Sequence, residues 1–150
     1  MNQLKQKLQS DLNDAIKSRN TVVAETVRML LAAITNEEVA GKEKKELSDA
    51  EVITVLTREA KKRREAAEAF EQGGRADKAA AERAEGEVIA TYLPAQLSEA
   101  ELNQLITETI AAVGASGPGD MGKVMGALKA KVAGKADGAT VSNLVKAALA

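Results

Sequence analysis

The chain has 150 residues, a formal net charge of −1, 45% hydrophobic and 29% charged residues, enough for one domain or two small ones with a modest core. It has no Cys and no His, which excludes disulfides, thiolate metal sites, iron–sulfur clusters, a thiol nucleophile, an imidazole base and His-ligated zinc. With one Phe, one Tyr and no Trp beside abundant alanine, the composition favours helices over strands.

Leu4, Leu8, Leu12, Ala15 and Ile16 recur at spacings of three and four, predicting an amphipathic first helix. Asn20 can cap a second, whose inner face is Val23, Val27, Leu30, Leu31 and Ile34 and which ends near Gly41. The run from Gly41 to Glu46 has no apolar side and reads as a solvated loop. Ser48 and Glu51 then form a capping-box pattern, with Leu47 and Val52 at the staple positions. That third helix carries Val52, Leu56, Ala60 and Ala67 on one face, with Val55 and Ile53 beside it, and ends at Gly73-Gly74. Asp77 is the expected cap of the fourth, with Ala81, Ala84, Val88 and Ile89 inward. Tyr92-Leu93-Pro94 follows as a hinge, because proline lacks an N–H and disfavours helix at the residue before it.

Beyond the hinge the cap-and-staple pattern returns at Leu97, Ser98, Glu101 and Leu102, more readily two good helix starts than a duplication, since the following residues do not match. The fifth helix uses Leu102, Leu105, Ile106, Ile110 and Val113 and stops at Gly114. Asp120 is the expected cap of the sixth, bearing Met121, Val124, Met125, Leu128 and Val132. Asp137 caps the seventh, with Val141, Leu144, Val145 and Leu149 inward. The expectation is an all-α protein: a four-helix domain at residues 1–93 and a three-helix domain at residues 94–150. No apolar run reaches the length of a membrane span or a signal peptide, so a cytoplasmic location is expected.

Gly122, Gly126, Ala130 and Gly134 recur every four residues. Glycine inside a helix costs about 1 kcal/mol relative to alanine, so Gly122 and Gly126 call for a reason. Close packing against another helix is the expected one; the alternative is a bare face that admits a ligand backbone such as nucleic-acid phosphates. From Gly117 onward, Lys123, Lys129, Lys131, Lys135 and Lys146 stand against two aspartates, a net +3, which suits phosphate and also suits an ordinary solvated surface. A second basic cluster is Arg58, Lys61, Lys62, Arg63 and Arg64. Pairing with Glu65 and Glu68 at helical spacings is its simpler reading, and contact with an RNA backbone the other. Tyr92 can serve as a proton donor, but a hinge tyrosine bonded to backbone is the commoner arrangement. Gly117–Lys123 follows no strand and lacks the Lys-Ser/Thr ending of a nucleotide-binding loop.

The run Thr91-Tyr92-Leu93-Pro94-Ala95-Gln96-Leu97-Ser98, then Asp120–Gly126, Gly134–Gly138 and, in the second helix, Arg28–Asn36, resembles the YqeY-like family in order and spacing over essentially the whole chain. That family is similar to the C-terminal part of the GatB subunit of the tRNA-dependent amidotransferase, where the tail is associated with tRNA recognition. The resemblance implies a larger helical domain with a small helical tail and a connection to tRNA. It carries no catalytic residue, cofactor or metal onto this chain. The leading expectation is a non-catalytic tRNA- or RNA-binding module using Lys123, Lys129, Lys131 and Lys135, with Arg58, Lys61, Lys62 and Arg64 as a second patch. An accessory protein that binds an amidotransferase or aminoacyl-tRNA synthetase without touching RNA is the alternative. A carbon–nitrogen ligase using glutamine as amido-N donor and acting alone ranks last, for want of a nucleotide loop, Cys or His.

Overall fold

Seven α-helices make up the chain in a computed structural model that describes residues 2–150, and those residues contain no strand. They are α1 (Gln3–Lys17), α2 (Thr21–Glu38), α3 (Asp49–Gln72), α4 (Ala76–Ala90), α5 (Glu99–Val113), α6 (Met121–Val132) and α7 (Gly138–Leu149), with a short 3₁₀ turn at Pro118–Asp120 before α6. The chain divides into two compact units, one ending at Pro94 and one starting at Ala95. No helix among the described residues is long and apolar enough to cross a membrane.

In the first unit, α1 to α4 close over Leu8, Val27, Leu30, Ile34, Leu47, Val52, Val55, Leu56, Ala60 and Ile89. Local chemistry starts the helices. The Ser48 hydroxyl accepts the Glu51 N–H at 3.2 Å while the Glu51 carboxylate accepts the Ser48 N–H at 2.8 Å, and Asn2 and Asn20 cap α1 and α2 with their side-chain oxygens. α4 departs from expectation at both its start and its inner face. Its cap position is Arg75, which makes no side-chain capping bond, and Asp77 lies inside the first turn with its carboxylate on the Arg75 guanidinium at 3.2 Å. Ala79 is buried and Ala81 exposed; an alanine-rich helix carries little amphipathic signal by which to choose its inner side. Ile16, expected inside, is 47% exposed.

Polar contacts knit this unit over long sequence separations. Lys5 Nζ lies 2.7 Å from Glu38 Oε1, whose side chain is only 3% exposed. The Lys5 ammonium, helped by the Leu47 N–H, outweighs burial and holds the Glu38 carboxyl below its ordinary value. Arg63 on α3 sits among three carboxylates, 3.6 Å from both Glu59 and Glu82 and 3.4 Å from Glu85. Gly86 of α4 faces the stem of Arg63, and a methyl added to it would lie 3.8 Å from the Arg63 Cβ, in ordinary van der Waals contact. Tyr92 Oη donates to Asp11 Oδ2 at 2.6 Å, so the hydroxyl is bonded to a carboxylate and not to backbone. Burial first, then the Asp11 carboxylate, push the Tyr92 hydroxyl upward and out of any acid role near neutral pH.

In the second unit, α5, α6 and α7 enclose Leu102, Ile106, Val124, Leu128, Val132, Val141, Val145 and Leu149. The capping box of Ser98 and Glu101 is formed, and Asp137 accepts the Thr140 N–H at 3.1 Å. Gly114 ends α5 at φ 69°.

Candidate nucleic-acid interface

α6 begins where Pro118 opens the 3₁₀ turn. Asp120 occupies the cap position, but its carboxylate turns back to accept the Ser116 N–H at 2.8 Å and makes no capping bond to α6. That N–H, aided by Gly117 and by the charge of Lys123, outweighs the burial that opposes it and holds the Asp120 carboxyl below its ordinary value. From there Val124, Leu128 and Val132 face the core at spacings of four.

The opposite side of α6 is bare. Gly122 and Gly126 are exposed, and a Cβ built on either meets no atom within 4 Å. The expectation of helix packing is therefore overturned: no neighbour abuts these glycines, and their missing side chains face outward. Gly134 does not belong to the stripe. It lies beyond the end of α6 at φ 72°, a left-handed conformation that only glycine adopts cheaply.

At 100° per residue, Gly122, Gly126 and Ala130 line one exposed strip, with Lys129 along one side and Lys123 along the other; Lys131 lies about 100° beyond Ala130, at the edge of the side that faces the core. Lys135 follows in the turn before α7. All four lysines are exposed and none is engaged in an ion pair among the described residues.

The Arg58–Arg64 segment of α3 is arranged differently. Arg58 Nη2 is 3.6 Å from Glu37 Oε1, Lys61 Nζ 3.9 Å from Glu65 Oε1, and Lys62 Nζ 3.1 Å from Glu59 Oε1. Glu37 and Glu59, with Glu65, do the pairing expected of Glu65 and Glu68. Arg64 alone of the segment is exposed with no such partner. Exposed pairs of this kind contribute little stability, but each carboxylate cancels the field of its cation at a distance.

No group of carboxylates suited to hold a metal ion occurs among the described residues. A family of proteins described as YqeY-like matches residues 5–149, nearly the full length. The chain belongs to the YqeY-like family. No curated protein matches it. Within the second unit, Gln96 Nε2 donates to the Gly134 carbonyl at 2.7 Å and the Leu97 N–H to the Lys135 carbonyl at 2.9 Å. Gly134 thus has a structural task, presenting its carbonyl to the segment that follows Pro94.

Sequence reasoning missed Lys5–Glu38, the Arg63 cluster and Tyr92–Asp11, whose partners lie 33, 22 and 81 positions apart. No local spacing rule links residues that far apart. Arg19 escaped as well, for a different reason. It takes the left-handed conformation at φ 58°, and an arginine gives no hint of that.

Proposed function

We propose that this YqeY-like protein is a non-catalytic RNA-binding module that engages tRNA through the outward side of α6 and the turn after it. The observation that carries the reading is the open glycine strip on a helix whose exposed lysines form no ion pair among the described residues. A helix with no side chain at Gly122 and Gly126 lets a phosphodiester backbone approach its axis closely, while Lys123, Lys129, Lys131 and Lys135 supply the countercharge. The similarity of the YqeY-like family to the GatB tail turns the choice of RNA toward tRNA, and on this reading the protein works in the cytoplasm, where that ligand is. The paucity of aromatic residues argues for backbone contact over base stacking. Arg64, with Arg58, Lys61 and Lys62, is a secondary patch of lower field.

The same proposal takes residues 1–93 and 94–150 as separate domains, with Tyr92-Leu93-Pro94 as the hinge. The first unit has its own core from Leu8 to Ile89, so a fragment ending at residue 93 is expected to unfold cooperatively. A fragment that does not would merge the two into one domain.

The test is tRNA binding measured across a salt series. Four phosphate contacts predict that log K falls with log salt at a slope of about −3. Reversing Lys123 and Lys131 to Glu should abolish measurable binding while helicity is unchanged. Retention of tRNA affinity by the folded double variant would remove α6 from the interface. Co-purification of a protein partner after nuclease treatment, with no tRNA affinity at all, would favour the accessory role.

A further inference from the structure

The turn between α1 and α2 holds a hollow that the tRNA reading does not use. Its volume is about 370 Å³, and it opens broadly to solvent, since Ile16, Arg19, Glu25 and Arg28 are all exposed. Ala15 and Ala24, both buried, form its floor, and Ile16, Arg19, Glu25 and Arg28 stand around it. The two short floor side chains are what leaves the space between the helices.

Arg19 occupies an unusual place. α1 ends in a Schellman motif: the Asn20 N–H donates to the Ala15 carbonyl at 2.9 Å and the Arg19 N–H to the Ile16 carbonyl at 3.2 Å. The motif demands a left-handed residue between them, normally glycine. The described residues contain four left-handed positions; Gly74, Gly114 and Gly134 fill three, and Arg19 fills the fourth. A side chain is therefore carried at a position where glycine would relieve backbone strain. Neither Arg19 nor Arg28 has an ion pair or side-chain hydrogen bond among the described residues, although Glu25 lines the same hollow. Elsewhere in this unit Arg58, Arg63, Arg75 and Arg83 each have a carboxylate, and only Arg64 likewise lacks one among the described residues.

We propose that this hollow is a binding site for a small phosphate monoester. Two guanidiniums present parallel N–H pairs that match phosphate oxygens, and their two charges match the dianion better than the single charge of a diester. Glu25 accepts a hydrogen bond from an amino or hydroxyl group on the ligand, and Ile16 covers its carbon skeleton. The site is independent of tRNA binding on α6.

The test uses the full chain and three probes at fixed ionic strength: inorganic phosphate, phosphoethanolamine and dimethyl phosphate. The readout is NMR of the arginine Nε–H groups and the backbone amides of residues 19–25. Phosphate should give saturable shifts confined to Arg19, Arg28 and those amides, phosphoethanolamine should bind more tightly, and dimethyl phosphate at least tenfold more weakly. Arg19→Gly should keep or raise the melting temperature while binding drops at least tenfold. Arg28→Ala, folded by circular dichroism, should lose binding to the same degree. Glu25→Gln should erase the advantage of phosphoethanolamine over phosphate. Shifts that never saturate, that spread over every lysine, or that survive in Arg19→Gly overturn the site. Dimethyl phosphate binding as well as phosphate overturns the monoester assignment.

Discussion

On α3, Arg58, Lys61, Lys62 and Arg63 each form an ion pair with a carboxylate; on α6 and the turn beyond it, Lys123, Lys129, Lys131 and Lys135 form none among the described residues, although Lys123 lies within the field of Asp120. The α3 segment is the denser cluster by sequence, and it is the one whose field is cancelled. Its acids come from three places: its own helix (Glu59, Glu65), the end of α2 (Glu37) and α4 (Glu82, Glu85). The second unit has acids too, yet Glu99, Glu101 and Glu108 belong to α5 and form no ion pair with the α6 lysines. A basic run thus becomes a basic surface only where tertiary structure withholds carboxylates from it.

The largest effect that separates the regions is on stability. Arg63→Ala should cost about 3 kcal/mol, because it strands Glu82 and Glu85 in a half-buried seam, leaves Glu59 with Lys62 alone, and removes the stem that lies against Gly86. Lys129→Ala should change stability by less than about 0.5 kcal/mol, having no partner to strand. Urea unfolding of the two variants measures both. A cost below about 1 kcal/mol for Arg63→Ala would mean that the α3 cations are solvated after all.

Next comes the buried pair of the first unit, read through pH. The folded Glu38 carboxyl lies below its ordinary value of 4.5, so its contribution is full above that pH. It is lost as pH falls through the folded value. Replacing Lys5 by Met leaves Glu38 buried without its cation; burial then raises the carboxyl, and the variant loses stability as pH rises. The deficit of Lys5→Met should therefore be about 2 kcal/mol at pH 7 and shrink toward pH 3.5. Asp11, Glu51 and Asp77, also held low, are common to both proteins and drop out of the difference. A deficit independent of pH would assign the Lys5 effect to packing.

What the sequence disclosed is the local part. Ser48 with Glu51 and Ser98 with Glu101 act across three residues, and both boxes form as their spacing demands. Helix order and the apolar faces of α2, α3, α5, α6 and α7 follow from period and propensity. Asp77 and Asp120 failed as caps because a nearby donor, the Arg75 guanidinium or the Ser116 N–H, competes for the same carboxylate. The glycine strip was visible as a pattern, but whether a helix lies against it is a tertiary fact. Arg58–Arg64 looked like a site for the same reason: their distant partners, Glu37 on α2 and Glu82 and Glu85 on α4, carry no mark in the sequence around them.

Gly126→Ala sharpens the contrast from the α6 side. With nothing within 4 Å of the added methyl, the substitution should stabilise the second unit by about 1 kcal/mol. On the proposed interface it should also weaken tRNA binding several-fold, since the methyl stands where the phosphate backbone would lie. Thermal unfolding and a tRNA titration on one sample separate the two. A stabilised protein with unchanged affinity would keep the lysines in the interface and remove the glycines from it.

The smallest effect is the one that tests the comparison itself. Glu37→Gln together with Glu65→Gln removes the carboxylates facing Arg58 and Lys61 without altering shape. Both pairs are long and exposed, so stability should move by less than about 0.5 kcal/mol. The field should change more than the stability does, because two carboxylates that offset the cations beside Arg64 are removed. If pairing is what silences α3, the variant should gain tRNA affinity by less than tenfold, and its salt slope should steepen by about 1 to 2 as new phosphate contacts form. Adding Lys123→Glu and Lys131→Glu should then leave a residual, salt-sensitive binding that the α6 variant alone lacks. Should the double Gln variant bind tRNA as the parent does, with the same slope, free charge would not be the property that distinguishes the two segments. The bare helix side at Gly122 and Gly126 would then carry the difference alone.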